Sequence, residues 1–236
     1  MNRKIVALAM ALGIVLGGTV AFASPVNDFN KGALEIEFGS TLNSSVSGKG
    51  QLSPSADGKE GFKYGLAYGL GKDLALQFKG GKFWSEDATV DLPVDGFGII
   101  SRTTYAKSDI RELNLVYKIN DNISAAVGYV ENIISYGLST VRKEKPSALH
   151  AGLIAHQKLD RKLTGFTGVM AGKDVLFWEA GLGYKVAKDT NLNIAYGERK
   201  FKDVPIVVDL TPLPPFNDTL DYKMKGITFM FSHKLK

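Results

Sequence analysis

The sequence predicts an all-β fold, a closed antiparallel up-and-down transmembrane β-barrel of about ten strands. Eight is the alternative if one hairpin stands clear of the membrane. Three observations carry this. Ten short segments alternate apolar and polar residues, the connections between them alternate short and long, and charged residues in those segments fall on the faces opposite the apolar ones. A tilted membrane-crossing strand needs only about 9–11 residues in such alternation.

Residues 1–23 read as a secretion signal. Arg3 and Lys4 are a basic start, Ile5 to Val20 is uncharged and mostly apolar, and Ala21-Phe22-Ala23 is a small-x-small cleavage site, leaving 24–236 as one barrel domain. Removing Arg3 and Lys4 lowers the formal charge from +5 to +3, too mild a balance to argue for nucleic acid. The chain has no cysteine, which excludes disulfides and thiolate metal sites.

The strands follow in order. Gly32–Thr41 sets Leu34, Ile36 and Phe38 against Glu35 and Glu37. Glu60–Leu70 sets Phe62, Tyr64, Leu66, Tyr68 and Leu70 against Lys63, Gly65, Ala67 and Gly69. Leu74, Leu76 and Phe78 oppose Ala75, Gln77 and Lys79, and Leu113, Leu115, Tyr117 and Ile119 oppose Glu112, Asn114 and Lys118. Ile123, Ala125, Val127 and Tyr129 oppose Ser124, Ala126 and Gly128, and Leu149, Ala151, Leu153 and Ala155 oppose His150, Gly152 and His156. Leu163–Gly172 is a strand whose faces the pattern does not assign. Leu176, Trp178, Ala180, Leu182, Tyr184 and Val186 oppose Glu179, Gly181, Gly183 and Lys185. Leu192, Ile194 and Tyr196 oppose Asn193, Ala195, Gly197 and Arg199, and Ile227, Phe229 and Phe231 oppose Thr228, Met230 and Ser232.

Gly71–Asp73, Asn120–Asn122, Lys158–Lys162 and Ala187–Asn191 are short connections; Asn43–Lys59, Ser85–Ser108, Asn132–Pro146 and Asp203–Thr219 are long. Only Lys173-Asp174 breaks the alternation. Short inner turns and long outer loops are what a bacterial barrel shows. Tyr68, Tyr117 and Tyr184 each precede a short turn, where an aromatic ring can meet lipid while its hydroxyl meets water.

Glu35, Glu37, Lys63, Lys79, Glu112, Lys118, Glu179, Lys185 and Arg199 are expected to form a polar network in the lumen. A charge on the lipid face near the midplane costs about 2–4 kcal/mol, which the alternation avoids.

At the C-terminus, Gly226-Ile227-Thr228-Phe229-Met230-Phe231 resembles the terminal signal of outer-membrane barrels, and the mature chain resembles the small barrels of the opacity, OmpA-barrel and OmpX/Ail type. The family members end on an aromatic residue, whereas Ser232 to Lys236 follow Phe231 here. The resemblance implies location in the outer membrane and insertion by the barrel assembly machinery, while contact with anionic lipopolysaccharide is one reading of the basic run Arg142, Lys143 and Lys145, a solvated charge run being the other.

Residue patterns for chemistry are sparse. His150 and His156 are six positions apart on one strand, about 20 Å at ~3.3 Å per residue, too far to share a metal ion. Ser232-His233 continues to Lys234 and lacks the Ser-Asn continuation of lipid A deacylases; paired acids with a His-Asp partner, as in omptin-type proteases, are not evident. No catalytic, metal or cofactor residue is assigned. The outer segments hold more. Thr89–Val94 alternates, Asp95-Gly96 suits a tight hairpin, and Phe97–Tyr105 can run back, which places Val90, Leu92 and Phe97 on an external sheet. Ile206, Val208, Leu213 and Phe216 are apolar in another outer loop, either packing on one another or facing a partner. Arg142, Lys143 and Lys145 make a basic loop tip. The expected function is a monomeric, non-enzymatic surface protein that contacts an extracellular macromolecule through its outer hairpins. A narrow porin-like channel and a lipid-modifying or proteolytic enzyme are the alternatives.

Overall fold

Alternation leaves every hairpin with one apolar and one polar face, and the chain resolves this by closing its sheet on itself. The computed structural model describes residues 25–51, 53–59, 61–94, 98–137, 141–208 and 215–235. The secretion signal with its cleavage site, the Asp95-Gly96 turn, Phe97 and Leu213 therefore lie outside the described residues.

Thirteen strands run in chain order: β1 (Leu34–Lys49), β2 (Ser55–Gly58), β3 (Gly61–Gly71), β4 (Leu74–Trp84), β5 (Ala88–Val94), β6 (Gly98–Asn120), β7 (Ile123–Gly137), β8 (Val141–Glu144), β9 (Ser147–Lys158), β10 (Leu163–Gly172), β11 (Val175–Ala187), β12 (Thr190–Val208) and β13 (Phe216–Leu235). Ten of them, all but β2, β5 and β8, form an antiparallel ring. The ring closes between β13 and β1, from Leu34 opposite Leu235 to Lys49 opposite Asp221. This settles the strand number at ten rather than eight. It also places the residues after Phe231 within β13, paired with β1 as far as Leu235.

The short turns form as tight reversals. At Lys72-Asp73 both residues have positive φ, 53° and 63°, the left-handed pair a two-residue hairpin uses to match strand twist. The long connections differ from simple loops. β1, β6, β7, β12 and β13 run far past their membrane-spanning portions, and β6 alone has 23 residues. The long connections at 43–59, 132–146 and 203–219 are thus largely continued sheet, with β2 and β8 added against β1 and β7, and within 85–108 β5 pairs with β6 as the expected external hairpin. Backbone hydrogen bonding favours extension wherever two strands already leave the barrel in register.

The two faces separate cleanly. Outward residues such as Phe62, Leu115, Leu153 and Leu182 are exposed, Leu153 by 55%, while their inward neighbour Lys63 is 0% exposed. In β10, the strand without a clear pattern, Val169 and Ala171 face out and Phe166 and Met170 face in. The Phe166 ring fills the space over Gly181 across the sheet; a Cβ there would lie 2.6 Å from it. On the outer face Tyr64 covers Gly80 in the same manner, 2.3 Å from where a Cβ would stand.

Candidate functional site: a sealed interior and an external apolar cavity

The alternation that sends apolar residues to the outside sends nine charged positions to the inside, and their height along the barrel then decides what they do. Six converge in the middle. Glu37, Lys63, Lys79, Glu112, Glu179 and Arg199 are all buried, with Lys63 0% and Arg199 1% exposed. Three acids stand against three bases, so the layer balances. Arg199 on β12 donates a charge-assisted hydrogen bond to Glu112 Oε2 on β6. Asn114 Nδ2 donates to Glu112 Oε1 at 2.7 Å, and His150 Nε2 meets Asn114 Oδ1 at 2.8 Å. Lys63 Nζ donates to Thr228 Oγ1 at 2.5 Å. Glu179 lies within electrostatic reach of Lys79, Lys63 and Arg199. Neutral partners such as Asn114, His150 and Thr228 were not singled out from sequence as members of this network. Their signal was only that they share the inward phase.

Three of the nine lie elsewhere. Lys118 is inward in phase but stands at the rim beside the inner turn, where its Nζ meets Asp121 Oδ1 at 2.6 Å. That hydrogen bond holds the Asp121 carboxyl below its usual range. Lys185 is exposed at the same end. Both are within a few residues of a turn, so the strand ends before its side chain can enter the barrel. Glu35 is buried low in the lumen, where Asn27 Nδ2 donates to its Oε1 at 2.7 Å.

Asn27 belongs to a segment without any periodic pattern. Residues 25–31 fold into the inner mouth: Val26 is 5% exposed within the apolar core, Gly71 N donates to Phe29 O at 3.0 Å, and Lys234 Nζ lies 3.6 Å from Asp28. Above the charged layer sits an aromatic one. The Phe177 ring lies 4.3 Å from the Arg199 guanidinium, and Phe83 lies 5.6 Å from Lys63 Nζ. Phe201 packs 5.6 Å from Phe177, with Ile110, Val130 and Met224 completing the layer. A continuous water column would have to run beside these groups and expose them. They are buried, so the interior is sealed.

Outside the seal the extended hairpins make a second structure. Leu92 of β5 and Leu220 of β13 are buried against Val90, Ile206, Val208 and Phe216. Most of the apolar residues assigned to partner contact therefore pack on one another, while Ile99 on β6 remains 73% exposed. Among the described residues β5 is bonded to β6 alone, which leaves its other edge open to them. Among the extended hairpins lies a partly open cavity of about 110 Å³. On the outer face, Trp178 and Tyr196 meet edge to face at the upper limit of the apolar band. Beyond them Lys200 pairs with Asp221 at 2.5 Å and Lys223 with Glu198 at 3.5 Å, with Lys225 exposed beside them. Tyr68, Tyr117 and Tyr184 lie outward at the opposite limit. Among the described residues no three His, Asp or Glu side chains converge as a metal site.

No protein-family model matches the chain, and no curated protein sequence matches it. Solved structures do share its fold. The outer membrane protease OmpT from Escherichia coli superposes with a TM-score of 0.53 at 10% identity, covering 90% of this chain and 100% of that one. The outer membrane protein OprG from Pseudomonas aeruginosa gives 0.45 at 11% identity, covering 89% and 99%. Neisserial surface protein A gives 0.42 at 10% identity, covering 87% and 100%. The likeness to OmpT shows that the fold is that of an outer-membrane β-barrel.

Proposed function

We propose that this chain is a monomeric, non-enzymatic surface protein of the outer membrane, whose sealed barrel anchors an external β-sheet that binds an extracellular macromolecule. The observation that carries the reading is the unpaired edge of β5. Among the described residues Ala88–Val94 bonds to β6 on one side only, and a strand edge outside the membrane offers main-chain donors and acceptors to an extended partner. Pro93 suits an edge position because it has no N–H to lose. The Leu92–Leu220 cluster holds the sheet upright, so the edge is presented on a rigid support. The buried charged and aromatic layers support an anchoring role over a conducting one. Lys200, Lys223 and Lys225, just beyond the apolar band, suit contact with anionic lipopolysaccharide.

Deleting residues 89–103 tests the reading. Cells displaying the shortened chain should bind immobilised extracellular-matrix protein less than cells displaying the full chain, while the barrel keeps its heat-modifiable migration. Equal binding by both defeats the proposal.

A further inference from the structure

The external cavity has the construction of a ligand site. Its walls come from four separate hairpins, with Val46 and Ala56 on one side, Val90 and Leu92 on another, and Ile134 and Val204 opposite. Of the polar side chains that also line it, three have bound their polar atoms into the wall, while the Tyr222 hydroxyl is buried without a hydrogen-bond partner at its edge. Ser85 Oγ accepts from Ala106 N at 2.8 Å, Thr104 Oγ1 donates to Gly137 O at 2.9 Å, and Tyr136 Oη accepts from Val207 N at 2.9 Å. Arg142 is the one charged residue in the lining. A buried water needs two to four polar partners, and these walls present few.

A dry apolar cavity of about 150 Å³ takes up benzene or xenon, and this one, at about 110 Å³, is of the same order. The lining is mostly apolar and has little to recognise a sugar or a charged solute. We infer that the cavity lined by Val46, Val90, Ile134 and Val204 is a binding site for a small, neutral, apolar molecule of about benzene size. The inference does not depend on what the β5 edge binds. The ligand would sit directly beneath Val90 and Leu92, so its binding would stiffen the strand that the outer sheet presents.

The test is a benzene titration of the full-length barrel in detergent micelles, followed by methyl resonances of Ile134, Val204 and Leu220. Leu113 and Leu115, on the lipid face, report partition into the micelle. The inference predicts saturable shifts at the cavity methyls and shifts at Leu113 and Leu115 that grow in proportion to micelle loading. Ala106→Leu fills the cavity from the barrel wall, and Ala56→Leu fills it from the outer β2 strand, where folding of the barrel is not at stake. Each should weaken saturable binding at least tenfold, while Val127→Ala on the lipid face leaves it unchanged. Cavity methyls that merely follow micelle loading, or that saturate equally when Ala56→Leu fills the space, overturn the inference.

Discussion

Arg199 and Glu112 meet inside the barrel although 87 residues separate them, one on β12 and the other on β6, each almost fully buried. The pair crosses the lumen and ties opposite walls together. Removing one partner leaves a buried charge without its counter-charge, which costs about 3–5 kcal/mol, whereas replacing both by apolar groups is often neutral. Glu112→Leu alone should therefore lower the urea midpoint of the micellar protein strongly. Glu112→Leu with Arg199→Met should recover a large part of the loss. Additive losses in the double variant contradict the pairing.

Glu179 sits in the same layer and balances Lys63 and Lys79. Glu179→Leu should lower thermal stability by a comparable amount and reduce the yield of the heat-modifiable form. Unchanged melting shows that Glu179 is not part of the network.

The interior is closed at three levels: the segment 25–31, the charged layer, and the Phe177–Phe201 layer. Planar-bilayer recording of the wild-type protein should give no reproducible single-channel steps. Removing residues 25–30 alone should leave it silent, because the two upper layers remain. Regular steps from the wild type contradict a sealed lumen.

Leu92 is 1% exposed, although it belongs to a strand well outside the membrane. Truncating a buried leucine costs about 2–5 kcal/mol. Here the loss should fall on the external sheet alone. Leu92→Ala should speed protease cleavage within 88–104 and leave the melting of the barrel unaltered. Cleavage at the wild-type rate means that the Leu92–Leu220 cluster does not hold the sheet.

The legible part of this molecule is the part governed by a period of two. A side chain's face follows from its neighbours, so Phe62 outward and Lys63 inward are readable from five residues of sequence. Height along the barrel is not. Lys79 enters the central layer and Lys118 stops at the rim, yet both follow the same alternation; strand tilt and the register between strands decide the difference. Beyond the membrane the apolar face loses its lipid and the pattern weakens, so the outer lengths of β12 and β13 read as loop. Leu220, Tyr222 and Met224 do continue the inward phase of β13, a signal that extending the strand backwards from Thr228 recovers. Val26 and Phe29 carry no period at all, and only the closed ring gives them a mouth to fill.

The central claim is that hydrocarbon covers the outer faces of the ten-stranded ring. Because the chain contains no cysteine, single cysteines carrying a nitroxide can be placed at each position from 112 to 119 on β6 without background labelling. In lipid vesicles, collision with oxygen, which concentrates in the acyl chains, should alternate strictly, high at 113, 115 and 117 and low at 112, 114 and 116. High collision rates with a water-soluble nickel complex at 113 and 115, or oxygen rates without alternation, contradict the claim.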